Sequence, residues 1–430
     1  MARFDPAGPL RGALRPPPDK SISHRAALIA AMGEGETTIE GYLDAADTRS
    51  TLAAVTALGA EVGGASTGRV APTIQVQGVG LRGVAAAQID VGNAGTLLRL
   101  LPGWLAGQEM GAWTLDGDDS IRRRPVDRVA EPLRLMGARL RCRDDRLPPL
   151  EIEAAPLRGI SYELPVASAQ VKSCLLFAGL LAEGETRVVE PLPSRDHTER
   201  MLIAAGAEVG REGDAVTVRP ADRLEPTAIA VPADFSAAAF FIVAALLTTG
   251  SDVTLRGVGL NPTRTGLLKI LKRMGAAIEV EPEGGRGGEP IGRIRIRPAQ
   301  LRGVEVGGAD VPLAIDELPL VALAACFAEG TTTVRDATEL RRKESDRVAT
   351  VTEALTALGG KVEPTDDGMV IEGAGGLSGG TVDSHGDHRI AMLGAVAGLA
   401  SREGVEVEGM EAVAVSYPGF EADLASLLKG

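Results

Sequence analysis

Lysine, serine, histidine and arginine crowd one short stretch, Asp19-Lys20-Ser21-Ile22-Ser23-His24-Arg25. Opening a helix, it would set Lys20 with His24 and Ser21 with Arg25, one turn apart on the same face. No local carboxylate is then in place to pair with the cations. Cations favour helix C-termini, so their placement at an N-terminus points to an anionic ligand such as phosphate rather than a solvated helix end. Two further stretches concentrate charge. In Arg341-Arg342-Lys343-Glu344-Ser345-Asp346-Arg347, Glu344 and Arg347 are three apart and share a face. A solvated charged helix would look the same. Asp316-Glu317 precedes the apolar run Leu318 to Phe327, where N-capping explains an acid about as well as a general base does. Of Arg122-Arg123-Arg124, one fork turned inward would suffice for an anion, while the rest could form a surface patch paired with Asp118 and Asp119. His385-Gly386-Asp387-His388-Arg389 has no third metal ligand nearby, so no metal is expected there. Instead Asp387 would cap a helix, with His388 and Arg389 turned toward a ligand.

The elements that must position these residues repeat along the chain. A glycine turn and a β-branched strand recur at Gly35, Gly107, Gly184, Gly250, Gly330 and Gly404, spaced by 72, 77, 66, 80 and 74 residues. A helix-ending glycine turn recurs as Leu58-Gly59-Ala60, Met136-Gly137-Ala138, Ala205-Gly206-Ala207, Met274-Gly275-Ala276 and Leu358-Gly359-Gly360. A third marker, at Asp19, Asn93, Ser168, Asp234, Asp316 and Asp387, reads as N-cap chemistry. A period near 70 residues is too long for the common solenoid repeats. Six such units imply two α/β domains of three each, with the crossover at residues 226–233, which hold two prolines. Residues 1–14 read as an extra strand that would pair with the second domain. The polar residues fall at helix starts and in post-strand loops such as Ser194-Arg195-Asp196-His197 and Asn261 to Arg264. Helix N-termini facing each other across a cleft would attract small, multiply anionic substrates.

Composition narrows the class. The 430 residues carry net charge −13 and few aromatics, which excludes an ordinary nucleic-acid binder. The longest apolar run, Ala237 to Leu247, is too short to span a membrane. Residues 1–12 lack an apolar signal core, and three cysteines without a CxxC fit a reducing cytoplasm rather than a disulfide framework. No GxxxxGK[ST] loop and no post-strand GxGxxG indicates a nucleotide cofactor.

Five stretches in order carry a resemblance: Asp19 to Arg25, Gly92-Asn93-Ala94-Gly95-Thr96, Ser168-Ala169-Gln170-Val171-Lys172, Arg342 to Arg347, and Gly386 to Arg389. The chain resembles the 5-enolpyruvylshikimate-3-phosphate synthase family over essentially its full length. That resemblance implies an α/β, two-lobed, inside-out barrel fold with three βαβαββ units per lobe. One lobe would span 15–229, the other 1–14 plus 230–430, with the active site in the cleft between them and closure on substrate. It implies transfer of the carboxyvinyl group of phosphoenolpyruvate to the 5-hydroxyl of shikimate 3-phosphate, through a tetrahedral adduct, with neither metal nor cofactor. A cytoplasmic monomer with small-molecule substrates and no nucleic-acid or membrane partner is expected. By the same resemblance Asp316 would accept the hydroxyl proton, Glu344 would exchange the methylene proton, and Lys20 would contact both substrates. Ser21, Arg25, Ser168, Ala169, Gln170 and Lys343 would hold shikimate 3-phosphate, with Ser194 or Arg195 at its phosphate. Gly95, Arg124, Gln170, Arg347 and Arg389 would surround phosphoenolpyruvate, whose site glyphosate would occupy. Some members have paired serines where Ser168-Ala169 stands, and a lysine where Val415 precedes Ser416-Tyr417-Pro418.

Two other readings are open. The sister UDP-N-acetylglucosamine enolpyruvyl transferases share fold and donor, but commonly carry a reactive cysteine in the loop matching Asp116 to Pro125. This loop has none. A non-catalytic anion-binding repeat protein would be expected to have lost some of Lys20, Arg124, Asp316, Glu344, Arg347 and Arg389, and all are present.

Overall fold

In the computed structural model, which describes residues 1–64 and 72–429, the repeat becomes a physical unit. The second copy shows it best. Strand Ala87–Asp90, helix Gly95–Ala106, strand Ala112–Asp116 and helix Asp127–Leu135 are followed by the hairpin strands Arg139–Arg143 and Leu147–Glu153. The first two strands pair in parallel across the helix, and the hairpin adds antiparallel neighbours. Side chains alternate inward along the strands, so Trp113 and Leu115 are buried on one face and Pro148, Leu150 and Ile152 on the facing strand. Among the described residues six sheets form, five with four strands and one with three.

The chain divides into two compact units. The first comprises Pro18–Pro232 with Gly285–Glu289; the second comprises Met1–Pro17, Ala233–Gly284 and Pro290 onward. Each has its own continuous hydrophobic core. In the first unit, helices Lys20–Met32, Gly95–Ala106 and Ala169–Gly179 are buried on nearly all sides beyond their first turn. In the second, Phe235–Leu247, Leu318–Cys326 and His388–Ala400 play that part. Helices apolar all round are stable only when enclosed, and truncating one such residue, Leu98 or Phe241, would cost about 2–5 kcal/mol.

Each unit closes its ring of repeats with a borrowed strand. Ala228–Ala230, from the end of the first unit's long segment, pairs in parallel with Glu36–Glu40 of its first repeat. Arg11–Leu14 does the same for Asp252–Gly259 in the second unit, where Ala2–Phe4 also lies antiparallel to Val405–Glu408. The residue 226–233 segment therefore contains a strand, and the passage between units falls at Pro232–Ala233.

The marker glycines adopt positive φ at Gly35, Gly184, Gly250, Gly330 and Gly404, conformations that side chains disfavour. Gly107 departs: it ends its helix at φ −92°, and Gly111 makes the turn instead.

Candidate active site

Within the first unit the polar residues gather around the starts of the three enclosed helices. Asp19 caps helix Lys20–Met32 through the Ile22 N–H at 2.8 Å, and Ser168 caps Ala169–Gly179 through Val171 N–H. Gly95–Ala106 has no side-chain cap, because its N-cap residue is Ala94. The Asn93 amide donates to Asp118, and its carbonyl oxygen accepts from Arg124 Nη2 at 2.8 Å. Arg124 is the fork turned inward, held also by the Ser120 hydroxyl. Arg122 pairs instead with Asp116 at 2.8 Å and, more loosely, with Asp119.

Lys20 has no local carboxylate partner but a distant one: Asp47, 27 residues on, lies 3.1 Å away. Arg25 is buried and held by uncharged groups. It donates from Nε to Thr198 Oγ1 at 2.7 Å, from Nη1 to the Ser21 carbonyl and from Nη2 to Ser173 Oγ. Burial, and then the nearby Arg195 charge, push its guanidinium down to about 10. A buried cation with another cation close by is a setting that a phosphate would relieve. His24, beside them, is pushed down to about 3 by burial and by Lys20 and Arg25, so it is neutral. It is bound at Nδ1 to Thr51 and belongs to the scaffold.

Gln170 accepts from Arg99 Nη1 at 3.2 Å and donates to Thr96, while Arg99 also reaches the Gly95 carbonyl. Arg99 thus joins Gly95 and Gln170, a role absent from the sequence reading although it stands one turn after Gly95. Ser194 is tied twice to Glu190, through its N–H at 3.1 Å and through its hydroxyl. Glu190 is itself paired with the buried Lys172 at 3.0 Å, which fixes the loop that carries Arg195.

Within the second unit Asp316, Lys343, Glu344, Arg347 and Arg389 form one network. Arg347, 1% exposed, donates from Nε to Asp387 Oδ2 at 2.8 Å, from Nη2 to Glu344 at 2.5 Å and from Nη1 to Asp316 at 3.5 Å. Lys343 Nζ lies 3.2 Å from the same Asp316 oxygen. Arg389 donates to the Asp316 carbonyl at 3.1 Å. Burial pushes the Glu344 carboxyl up, but Arg347 and His388 outweigh it and hold it below its ordinary range. Asp387 caps its helix through the Arg389 N–H as expected, and in addition anchors Arg347.

Neither acid before Leu318–Cys326 makes a side-chain cap. Asp316 faces cations, and Glu317 faces Arg264, Arg389 and Ser236. Arg264, from the Asn261 to Arg264 loop, is the second guanidinium without an assigned role in the sequence reading. Among the described residues, no cluster of three or more metal-ligating side chains occurs, and no helix is long and apolar enough to cross a membrane.

The arrangement can bind compact anions on guanidinium and hydroxyl groups and can move protons through Asp316 and Glu344. The family model of EPSP synthase (3-phosphoshikimate 1-carboxyvinyltransferase) matches residues 4–424. The 3-phosphoshikimate 1-carboxyvinyltransferase of Alkalilimnicola ehrlichii is 52% identical over 96% of this chain and 93% of its own length. That of Methylococcus capsulatus is 50% identical over 96% and 94%. A solved EPSP synthase from Acinetobacter baumannii superposes with a TM-score of 0.90 at 43% identity, covering 99% of this chain and 97% of that one. The chain belongs to the EPSP synthase family and has its two-lobed α/β fold.

Proposed function

We propose that this enzyme transfers the carboxyvinyl group of phosphoenolpyruvate to the 5-hydroxyl of shikimate 3-phosphate and releases phosphate. The observation that carries the reading is the network in which Asp316 contacts Lys343 and Arg347 while Glu344 contacts Arg347. It sets two carboxylates against one shared guanidinium, one to take a proton and one to give it.

In the first half-reaction Asp316 accepts the 5-hydroxyl proton as that oxygen bonds to C2 of phosphoenolpyruvate. Its methylene carbon takes a proton from Glu344, giving a tetrahedral adduct with a methyl group. In the second, the methyl group returns a proton to Glu344, the C–C double bond re-forms, and the C2–O bond to phosphate breaks as the proton held by Asp316 passes to the departing phosphate. Lys20, Arg124, Arg347 and Arg389 stabilise the charge that develops on the carboxylate and leaving phosphate. Arg347 keeps Glu344 ionised in the free enzyme. An anionic substrate at Arg347 offsets that pull and lets Glu344 carry the proton it must deliver. Ser21, Arg25, Ser168, Ala169, Gln170 and Lys343 hold shikimate 3-phosphate, with Ser194 and Arg195 at its phosphate group. Gly95 and Gln170 complete the phosphoenolpyruvate site. The free thiols of Cys142, Cys174 and Cys326 suit a reducing cytoplasm, where we place the enzyme as a monomer.

Phosphate release from phosphoenolpyruvate tests the reading, with shikimate 3-phosphate and UDP-N-acetylglucosamine supplied in parallel. Turnover is expected with the first acceptor only; turnover with the second alone would reassign the chain to the sister activity.

A further inference from the structure

Glu317 is fully buried, and the mechanism above does not use it. A buried carboxylate is costly unless cations and donors surround it, and this one is surrounded. Both of its oxygens lie 3.4 Å from Arg264 Nη1, the Ser236 hydroxyl donates to Oε1, and Arg389 Nη1 lies 3.6 Å from Oε1. It occupies the N-cap position of helix Leu318–Cys326 yet caps nothing, so a locally available stabilisation is forgone while the side chain turns inward.

The contact with Arg389 has a direction. The same Nη1 that approaches Glu317 donates to the carbonyl of Asp316. One corner of the guanidinium is thus held by two consecutive residues, a carbonyl and a carboxylate. The Nε and Nη2 groups of Arg389 make no side-chain hydrogen bond among the described residues, which leaves that edge of the fork for a bidentate anion. Glu317 also lies against Arg264, and its charge lets two guanidinium groups share one buried locality.

We propose that Glu317 is a positioning residue for phosphoenolpyruvate: it fixes Arg389 in the orientation that receives the substrate anion. The inference rests on the assignment of Arg389 to phosphoenolpyruvate made above. It predicts a defect in one substrate and not the other, because the guanidinium that Glu317 holds is not among the groups assigned to shikimate 3-phosphate.

The test is a double-mutant cycle on the full-length enzyme, with both KM values and kcat measured. Glu317→Gln keeps the shape and removes the charge. It is expected to raise the KM for phosphoenolpyruvate roughly tenfold while changing that for shikimate 3-phosphate less than about twofold. Placed on Arg389→Ala, it should add almost nothing, since the residue it acts through is gone. Glu317→Asp, with charge restored on a shorter arm, should recover part of the loss; should Glu317→Gln fail to fold, this variant is compared with wild type in the same cycle. Equal changes in both KM values, or a loss that persists undiminished on Arg389→Ala, would overturn the inference and leave Glu317 a scaffold residue. An Arg389→Ala enzyme with unaltered phosphoenolpyruvate KM would instead overturn the site assignment itself.

Discussion

In the first unit two arginines meet uncharged partners, Arg25 with Thr198, Ser173 and a carbonyl and Arg124 with Asn93 and Ser120, while Lys20 pairs with Asp47. In the second they meet carboxylates: Arg347 with Asp387, Glu344 and Asp316, and Arg264 with Glu317. Both clusters hang on the same repeat and the same kind of enclosed helices, so the fold does not dictate the difference. Hydroxyls and carbonyls orient a guanidinium without cancelling its charge, which leaves it to an incoming phosphate. Carboxylates cancel the charge and leave a near-neutral network in which a proton can change hands at modest cost. On this contrast we propose that the first cluster chiefly binds and the second transfers protons.

The strongest way to break that division is Asp316→Asn, which keeps size and removes the base. We expect kcat to fall by about 10²–10⁴-fold, the usual range for a lost general base, with smaller changes in either KM. Near-full kcat would place the base elsewhere. Next in size is Arg25→Ala in the first cluster. Loss of a charged donor set should raise the KM for shikimate 3-phosphate about 50-fold, from two to three kcal/mol of charge-assisted bonding, while kcat holds within a few-fold. A kcat loss as deep as that of Asp316→Asn would erase the distinction between the units.

How far the sequence carries such a division depends on the range of the interactions involved. Asp19, Ser168, Asp234 and Asp387 cap their helices through N–H groups two or three residues away, and this short-range chemistry is readable from the chain alone. Asp316 and Asn93 bear the same signature but stand one residue before the N-cap positions, held by Glu317 and Ala94, and pair instead with partners 25 to 31 residues away. Lys20 with Asp47 was illegible for the same reason. The borrowed strands Arg11–Leu14 and Ala228–Ala230 show the limit for the fold. A period finds the repeats, but which segment closes each ring follows from parallel pairing across distant parts of the chain. Arg99 and Arg264 went unassigned, since a lone arginine in a helix or loop has no periodic mark.

A third prediction sharpens where the positive charge of the first cluster resides. Folded His24 is pushed down to about 3, against about 6.5 for the free side chain. Between these values the unfolded chain holds a proton that the folded chain lacks, so stability falls as pH drops through 6.5 and continues to fall toward 3. From pH 7 to pH 5 the loss from this residue is about 2 kcal/mol. Urea unfolding at the two pH values should show His24→Gln losing that much less than wild type. Identical losses would mean that folding leaves the proton affinity of His24 unchanged, and a smaller loss in wild type than in His24→Gln would mean that the fold holds it charged beside Lys20 and Arg25.

The smallest expected effect tests the binding cluster at its tightest point. An added Cβ at Gly95 would lie 3.0 Å from Arg124 Nη1 and 3.2 Å from Arg99 Nη1. Both neighbours are the far ends of flexible side chains, so the helix stays and the guanidinium groups shift by a few tenths of an ångström. Gly95→Ala should therefore fold normally while displacing the anion that Arg124 binds. Phosphoenolpyruvate is short and can follow the arginine; glyphosate, which family resemblance places in the same site, is longer and would press against the new methyl group. We expect competitive inhibition by glyphosate in the wild type. In Gly95→Ala the inhibition constant should rise roughly tenfold, about 1.4 kcal/mol, against about twofold for the phosphoenolpyruvate KM. Steady-state titrations of both proteins decide it. Equal changes in the two constants would show that the arginine displacement, common to both ligands, sets the effect, and a wild type already insensitive would show that neighbouring contacts exclude the longer ligand before Gly95 is reached.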